Sequence, residues 1–373
     1  MSKVKLSLFL LLMIVGVILA GCSSSTNEKS GATEPADPKS ESTAEVKEDN
    51  QSDAEKTDEN ASDEKTRYYF TANEGGSISK IDATSNQVIA TIEVDGAVHN
   101  VQVSPDGTML GATVVPGMDH GGGESMEMNG LALFYSTETD ELLQTVEVGS
   151  HPAHIVFTED GKYALVTNNE DNNVTVIDVN SFSVTHTIKT GKGPHGFRIS
   201  ADSKFAYIAN MGEDTISVLN LENMTEEKRI TVGSTPVTTG ITADGKTLVT
   251  TLNKENALAI VDLATDKVDK VQVGTGPAQV YIDGNNQKAY VANQGTEDTP
   301  SNSVTVVDLA AKTAVTTIET GKGAHGVVTS PDSKYLYVTN MFENTVSVID
   351  TEQNKVIETI QVGEIPNGIS IMK

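Results

Sequence analysis

From residue 67 to the C-terminus, apolar runs of five or six residues alternate with clusters of Asp, Gly, Asn and Ser, and no run lengthens into a helical period. One unit reads Gly196 to Ser200, Ala206 to Asn210, Thr215 to Leu219 and Glu227 to Val232, which predicts four strands. Turn chemistry fills the gaps, as in Ser104-Pro105-Asp106-Gly107 and Ser330-Pro331-Asp332-Ser333. The residue closing the third strand recurs as Asp82, Ser136, Asp178, Asn220, Asp262, Asp308 and Asp350, in steps of 54, 42, 42, 42, 46 and 42. A period near forty with four strands per repeat predicts an all-β fold, a seven-bladed propeller of four-stranded antiparallel blades. The repeat region opens on a second strand, Arg67 to Asn73, and closes on an inner strand, Gly368 to Met372. The C-terminal strand is therefore expected to complete the N-terminal blade and close the ring.

Residues 1–66 follow a different pattern. A basic start at Lys3 and Lys5 precedes an apolar stretch from Leu6 to Ile18, and Leu19-Ala20-Gly21-Cys22 follows. That stretch falls short of the roughly 18 to 20 residues a bilayer requires, so it reads as a secretion signal over residues 1–21. Leu-Ala-Gly-Cys resembles the lipobox of bacterial lipoproteins, which implies cleavage before Cys22 and diacylglyceryl modification of its thiol. Cys22 is the chain's one cysteine, so no internal disulfide is available to the exported domain. Residues 22–66 carry 13 acidic residues against 5 lysines after Cys22 and no aromatic, the composition of a disordered acidic tether. With a formal net charge of −26, the chain is poorly suited to nucleic acid. The expected location is outside the membrane, lipid-anchored, with a Gram-positive surface favoured and a periplasmic one compatible.

The second strands carry a further signature: Tyr337-Val338-Thr339-Asn340, Tyr290-Val291-Ala292-Asn293, Tyr207-Ile208-Ala209-Asn210 and Leu165-Val166-Thr167-Asn168. These runs resemble the YVTN family of β-propeller repeats, and the resemblance spans residues 67–373. It implies an exported or surface propeller, similar in architecture to that of nitrous oxide reductase, and implies no particular chemistry. The reductase activity itself is not expected, because no cysteine follows Cys22 and no second metal domain follows the last strand.

Aligning the starts of the inner strands on Val98, Pro152, Pro194, Pro236, Pro277, Ala324 and Pro366 makes the next residues His99, Ala153, His195, Val237, Ala278, His325 and Asn367, with His154 one place on. Four of the seven histidines thus fall in two columns of the repeat, at the mouth of the expected central channel. Residues just after the Asn of each YVTN-like run, including Met211 and Met341, should face the same rim. That rim also receives the Gly-rich insertion from Pro116 to Met128, whose His120, Glu124, Met126 and Met128 are potential ligands. Imidazole with thioether favours copper, and imidazole with carboxylate suits zinc, iron or manganese, so a transition metal with copper leading is the cofactor expectation. A second insertion, Gln294 to Asn302, reads as a solvated loop.

No cysteine nucleophile, Gly-x-Ser-x-Gly elbow or phosphate-binding loop occurs in the repeats, and the absence of tryptophan argues against a quinone platform. The leading functional expectation is a monomeric, non-catalytic module that binds a protein, glycan or small molecule on its loop-bearing rim. The alternative is a metal-binding or metal-dependent propeller built on the aligned histidines. Convergence of those histidines within ligand distance discriminates the two.

Overall fold

Short runs such as Thr345–Asp350 (TVSVID) are rich in β-branched residues and apolar on both faces, which suits a strand covered from either side by a neighbouring sheet. The computed structural model describes residues 67–117 and 129–373. They form 28 strands in seven four-stranded antiparallel sheets, with one turn of 3-10 helix at Asn253–Glu255 among the described residues. Second and third strands such as Tyr335–Asn340 and Thr345–Asp350 are buried at most positions, whereas outer strands such as Lys355–Gln361 alternate exposed and covered side chains. Apolar clusters lie at each interface between blades, one of them joining Phe197 and Ile208 to Val156, Leu165 and Val174 of the preceding blade.

Ring closure follows the expected course. Pro366–Ile371 pairs antiparallel with Tyr68–Asn73, matching Tyr69 to Ile371 and Ala72 to Gly368, so the first blade takes its inner strand from the C-terminus. All six residues of that strand are buried. Each inner strand also touches the next around the ring, including Pro366–Ile371 against Ala97–Val103.

The recurrent asparagine of the second strand has a specific task. The Asn340 amide donates to Thr345 Oγ1 at 3.0 Å and Ser347 Oγ at 2.9 Å, and Asn210 repeats this with Thr215 and Ser217, both at 2.9 Å. Asn73 and Asn293 make the equivalent pairs with Ser77 and Ser79, and with Ser303 and Thr305. A buried amide thereby fastens the hairpin between second and third strands, a role that aspartate could not fill because it has no donor.

The structure adjusts two boundaries. Apart from Ala97–Val103, inner strands start at the aligned proline or alanine, two residues before Gly196 in the case of Pro194–Ile199, because the proline position pairs with the recurrent asparagine. The insertion at residues 294–302 is partly strand, since Lys288–Gly295 and Pro300–Asp308 extend their hairpin until Gly295 meets Pro300. The signal segment, Cys22, the tether and the insertion ligands His120, Glu124, Met126 and Met128 lie outside the described residues.

Candidate metal centre

A regular strand points successive side chains to opposite faces, so His99, His195 and His325 would not meet His154, one place further on in its repeat, on a common face. Each of these inner strands breaks that rule at the histidine. Val98 pairs with Val114 and Asn100 with Thr113, leaving His99 as an extra residue. In the next two blades the register jumps between Pro152 and Ile155 and between Pro194 and Phe197. These are β-bulges, which re-aim side chains.

The threonine before the motif asparagine braces several bulges. Thr167 Oγ1 accepts the His154 backbone N–H at 3.0 Å and donates to the carbonyl of His195 in the following blade at 2.8 Å. Thr339 joins Gly326 to Asn367 in the same manner, and Thr113, though followed by Val114, accepts from Asn100 N at 3.1 Å and donates to Ala153 O at 2.7 Å. The motif therefore fixes one blade to the next at the level of the histidines.

Three histidines from three consecutive blades converge. Candidate ligand nitrogens of His99, His154 and His195 all lie within 4.8 Å of one another. The ring centroids of His195 are 5.3 Å from those of His99 and 5.0 Å from those of His154. His325 stands apart from this trio, with Nδ1 at 3.1 Å from the Asn367 carbonyl and 3.4 Å from Gln279 Nε2. Met341 is buried with its sulfur accepting from Gln294 Nε2 at 3.2 Å, and Met211 is half-buried. The three imidazoles form their cluster without His325.

Tautomers follow from the partners. His99 Nδ1 lies 2.8 Å from Glu74 Oε1, and an ionised carboxylate only accepts, so Nδ1 carries the hydrogen. His195 Nδ1 lies 3.2 Å from the Val237 carbonyl and must donate as well. The Nε2 atoms of the two rings face each other at 3.2 Å. Two lone pairs at that separation repel unless a proton or a metal cation lies between them. His154 favours the metal, since it is 1% exposed and neither ring nitrogen has a hydrogen-bond partner among the described residues. A buried polar group left without a partner costs about 1–3 kcal/mol and calls for an explanation.

Electrostatics favour neutral rings at His154, His195 and His325. Burial pushes His195 down to about 3, with the neighbouring His99 adding to the effect, and pushes His325 down to about 4. Burial beside His195 and His99 holds His154 well below its ordinary value. For Glu74, burial acts upward, but hydrogen bonding and charge from His99, together with the Asn367 amide at 2.6 Å, prevail and hold it at about 2. Glu74 thus remains a carboxylate that orients His99.

Glu74 was not singled out from the sequence. It follows Asn73 and so occupies the rim column that also holds Met211 and Met341, the one signal that could have found it.

A family model described as YNCE-like beta-propeller matches residues 135–373. No curated protein matches the chain. Among solved structures, hydrazine synthase from Kuenenia stuttgartiensis is similar with a TM-score of 0.64 at 20% identity, over 73% of this chain and 89% of that one. The dihydro-heme d1 dehydrogenase NirN, in complex with DHE, is similar with a TM-score of 0.59 at 14% identity, over 79% of this chain and 63% of that one. At these identities the likeness concerns the fold alone.

Proposed function

The chain belongs to the YNCE-like β-propeller family, a fold that dictates no chemistry by itself, and for this member we propose metal binding: one divalent transition ion held by His99, His154 and His195 at the channel mouth. The observation that carries the reading is the 3.2 Å approach of the Nε2 atoms of His99 and His195 beside a buried His154 that has no partner among the described residues. Two imidazole ligands at about 2.0–2.1 Å from a tetrahedral ion stand about 3.3 Å apart, close to the 3.2 Å between these nitrogens. Glu74 supplies the outer carboxylate that fixes a ligand's tautomer and raises its basicity.

Three protein ligands are one fewer than a closed structural site uses, so a fourth position would be free for water or a small ligand. Imidazole suits copper and zinc alike, and copper should bind more tightly by the general order of divalent affinities. The site supports this reading more directly than it supports a non-catalytic binding module on the rim, because rim binding rests on no comparable constellation among the described residues.

Full-length protein stripped by a chelator should take up one equivalent of Cu2+ or Zn2+, with imidazole nitrogen couplings in the Cu2+ spectrum. Glu74→Gln should weaken uptake about 10–100-fold while the fold stays intact. Absence of saturable uptake, or uptake unchanged by combined alanine substitution of the three histidines, would refute the proposal.

The setting we propose is extracytoplasmic, with the propeller tethered through lipid on Cys22; the basic start, the apolar stretch and Leu-Ala-Gly-Cys support it. In cell fractions the wild-type protein should sediment with membranes and Cys22→Ser should be released, whereas identical fractionation would exclude the anchor.

A further inference from the structure

Three places beyond the histidine column, the inner strands present another ring of residues to the channel: Gln102, Val156, Arg198, Gly240, Tyr281, Val328 and Ser370. At about 3.3 Å per residue this ring lies within about 10 Å of the histidines, toward the opposite mouth. A cavity of about 320 Å³ opens there, and all of the ring except Gly240 lines it.

Arg198 is the exceptional member. Its guanidinium donates from Nη1 to its own neighbour's carbonyl, Phe197 O, at 2.9 Å and lies 5.8 Å from the Tyr281 ring centroid. Of its five N–H donors, that is the one engaged within the described residues, and among those residues no ion pair holds the charge. The carboxylate among the cavity-lining residues, Glu159, is already taken by Lys373 Nζ at 2.7 Å. Burial lowers the pKa of Arg198 by more than Tyr281 and Glu159 raise it. Around it, Val156, Val328 and the Tyr281 ring give apolar walls, while Gln102 Nε2 and Ser370 Oγ, 3.3 Å apart, give a polar edge.

We propose that this cavity is a second binding site, for a small organic carboxylate whose carboxyl group pairs with the Arg198 fork and whose compact apolar body packs between Tyr281, Val156 and Val328. A guanidinium matches a carboxylate through two parallel hydrogen bonds, and an ammonium cannot reproduce that geometry. The volume falls at the lower end of the roughly 300–1,000 Å³ of small-molecule pockets, which limits the ligand's size.

Benzoate is a suitable probe, titrated calorimetrically into chelator-treated full-length protein at constant ionic strength set with chloride. Saturable one-to-one binding is expected, at least tenfold weaker in Arg198→Met and at least threefold weaker in Arg198→Lys, a variant that keeps the charge should the methionine variant fail to fold. His154→Leu should leave benzoate affinity unchanged, which separates this site from the metal centre. Failure of the wild-type protein to bind benzoate saturably, or equal affinity in Arg198→Lys, would overturn the assignment.

Discussion

Replacing His154 by leucine should make the metal-free protein more stable and the metal-loaded protein less stable than wild type. In the absence of metal, the substitution removes two buried nitrogens that have no partner, a gain of about 1–3 kcal/mol. The gain should widen in acid. His154, His195 and His325 all titrate below the ordinary 6.5 in the folded protein because burial disfavours their charged forms. An unfolded chain takes up these protons near pH 6.5 while the folded one does not, so stability falls as pH drops below that value, by at most about 1.4 kcal/mol per pH unit per group. For His195 and His325 the loss continues until the folded groups titrate, at about 3 and about 4. Glu74 acts in the same direction at lower pH, since its contribution is present in full above 4.5 and is lost as pH falls from there through about 2.

Metal reverses the order. At a free ion concentration about 1,000 times Kd, wild type gains about 4 kcal/mol by mass action, and the leucine variant, short of one ligand in three, should gain little. Thermal unfolding with and without Cu2+ should therefore show the two midpoints exchanging rank. A variant that is destabilised without metal, yet stabilised by metal as much as wild type, would assign His154 to packing alone.

The second large effect concerns closure. Deleting residues 366–373 should abolish cooperative unfolding of the propeller, because the lost strand is buried along its length and pairs with Tyr68–Asn73 while touching the inner strands of two neighbouring blades. Domain stabilities are only about 5–15 kcal/mol, and the deletion exposes one edge of the first blade together with both flanking interfaces. Calorimetry should show a broad or vanishing transition, and limited proteolysis should cut early within residues 67–93. Ser370→Ala, which preserves the strand while removing the hydroxyl that accepts from Val103 N at 3.0 Å, should shift the midpoint modestly and leave the transition sharp. Cooperative unfolding of the truncated chain would show that the ring tolerates an open blade.

Almost all of the architecture is legible in the sequence, because each blade must bury the same faces against the next and so repeats the same apolar columns. The site is legible only in part. His99, His195 and His325 occupy one column, but the column cannot say that His325 would settle on Asn367 while His99 and His195 meet. That outcome depends on which blades are consecutive and on what stands across the channel. His154 lies out of phase by one residue, which in a regular strand would send it to the other face; the bulge that brings it back leaves no mark in the hydrophobic pattern. Glu74 reads as an ordinary acidic turn residue until its distance to His99 is known. The extra loop and the tether, where much of the sequence's apparent ligand chemistry sits, lie outside the described residues.

The convergence of His99, His154 and His195 has a consequence for assembly. The three belong to the second, third and fourth blades, and their orienting carboxylate to the first, so the ligand set is complete by residue 195 and does not include the closing strand. An ion held there would link three blades across a long stretch of chain in a protein whose lone cysteine lies in the N-terminal segment. It would act as a removable staple on a half-built ring, holding the early blades in register while the later ones are still being added.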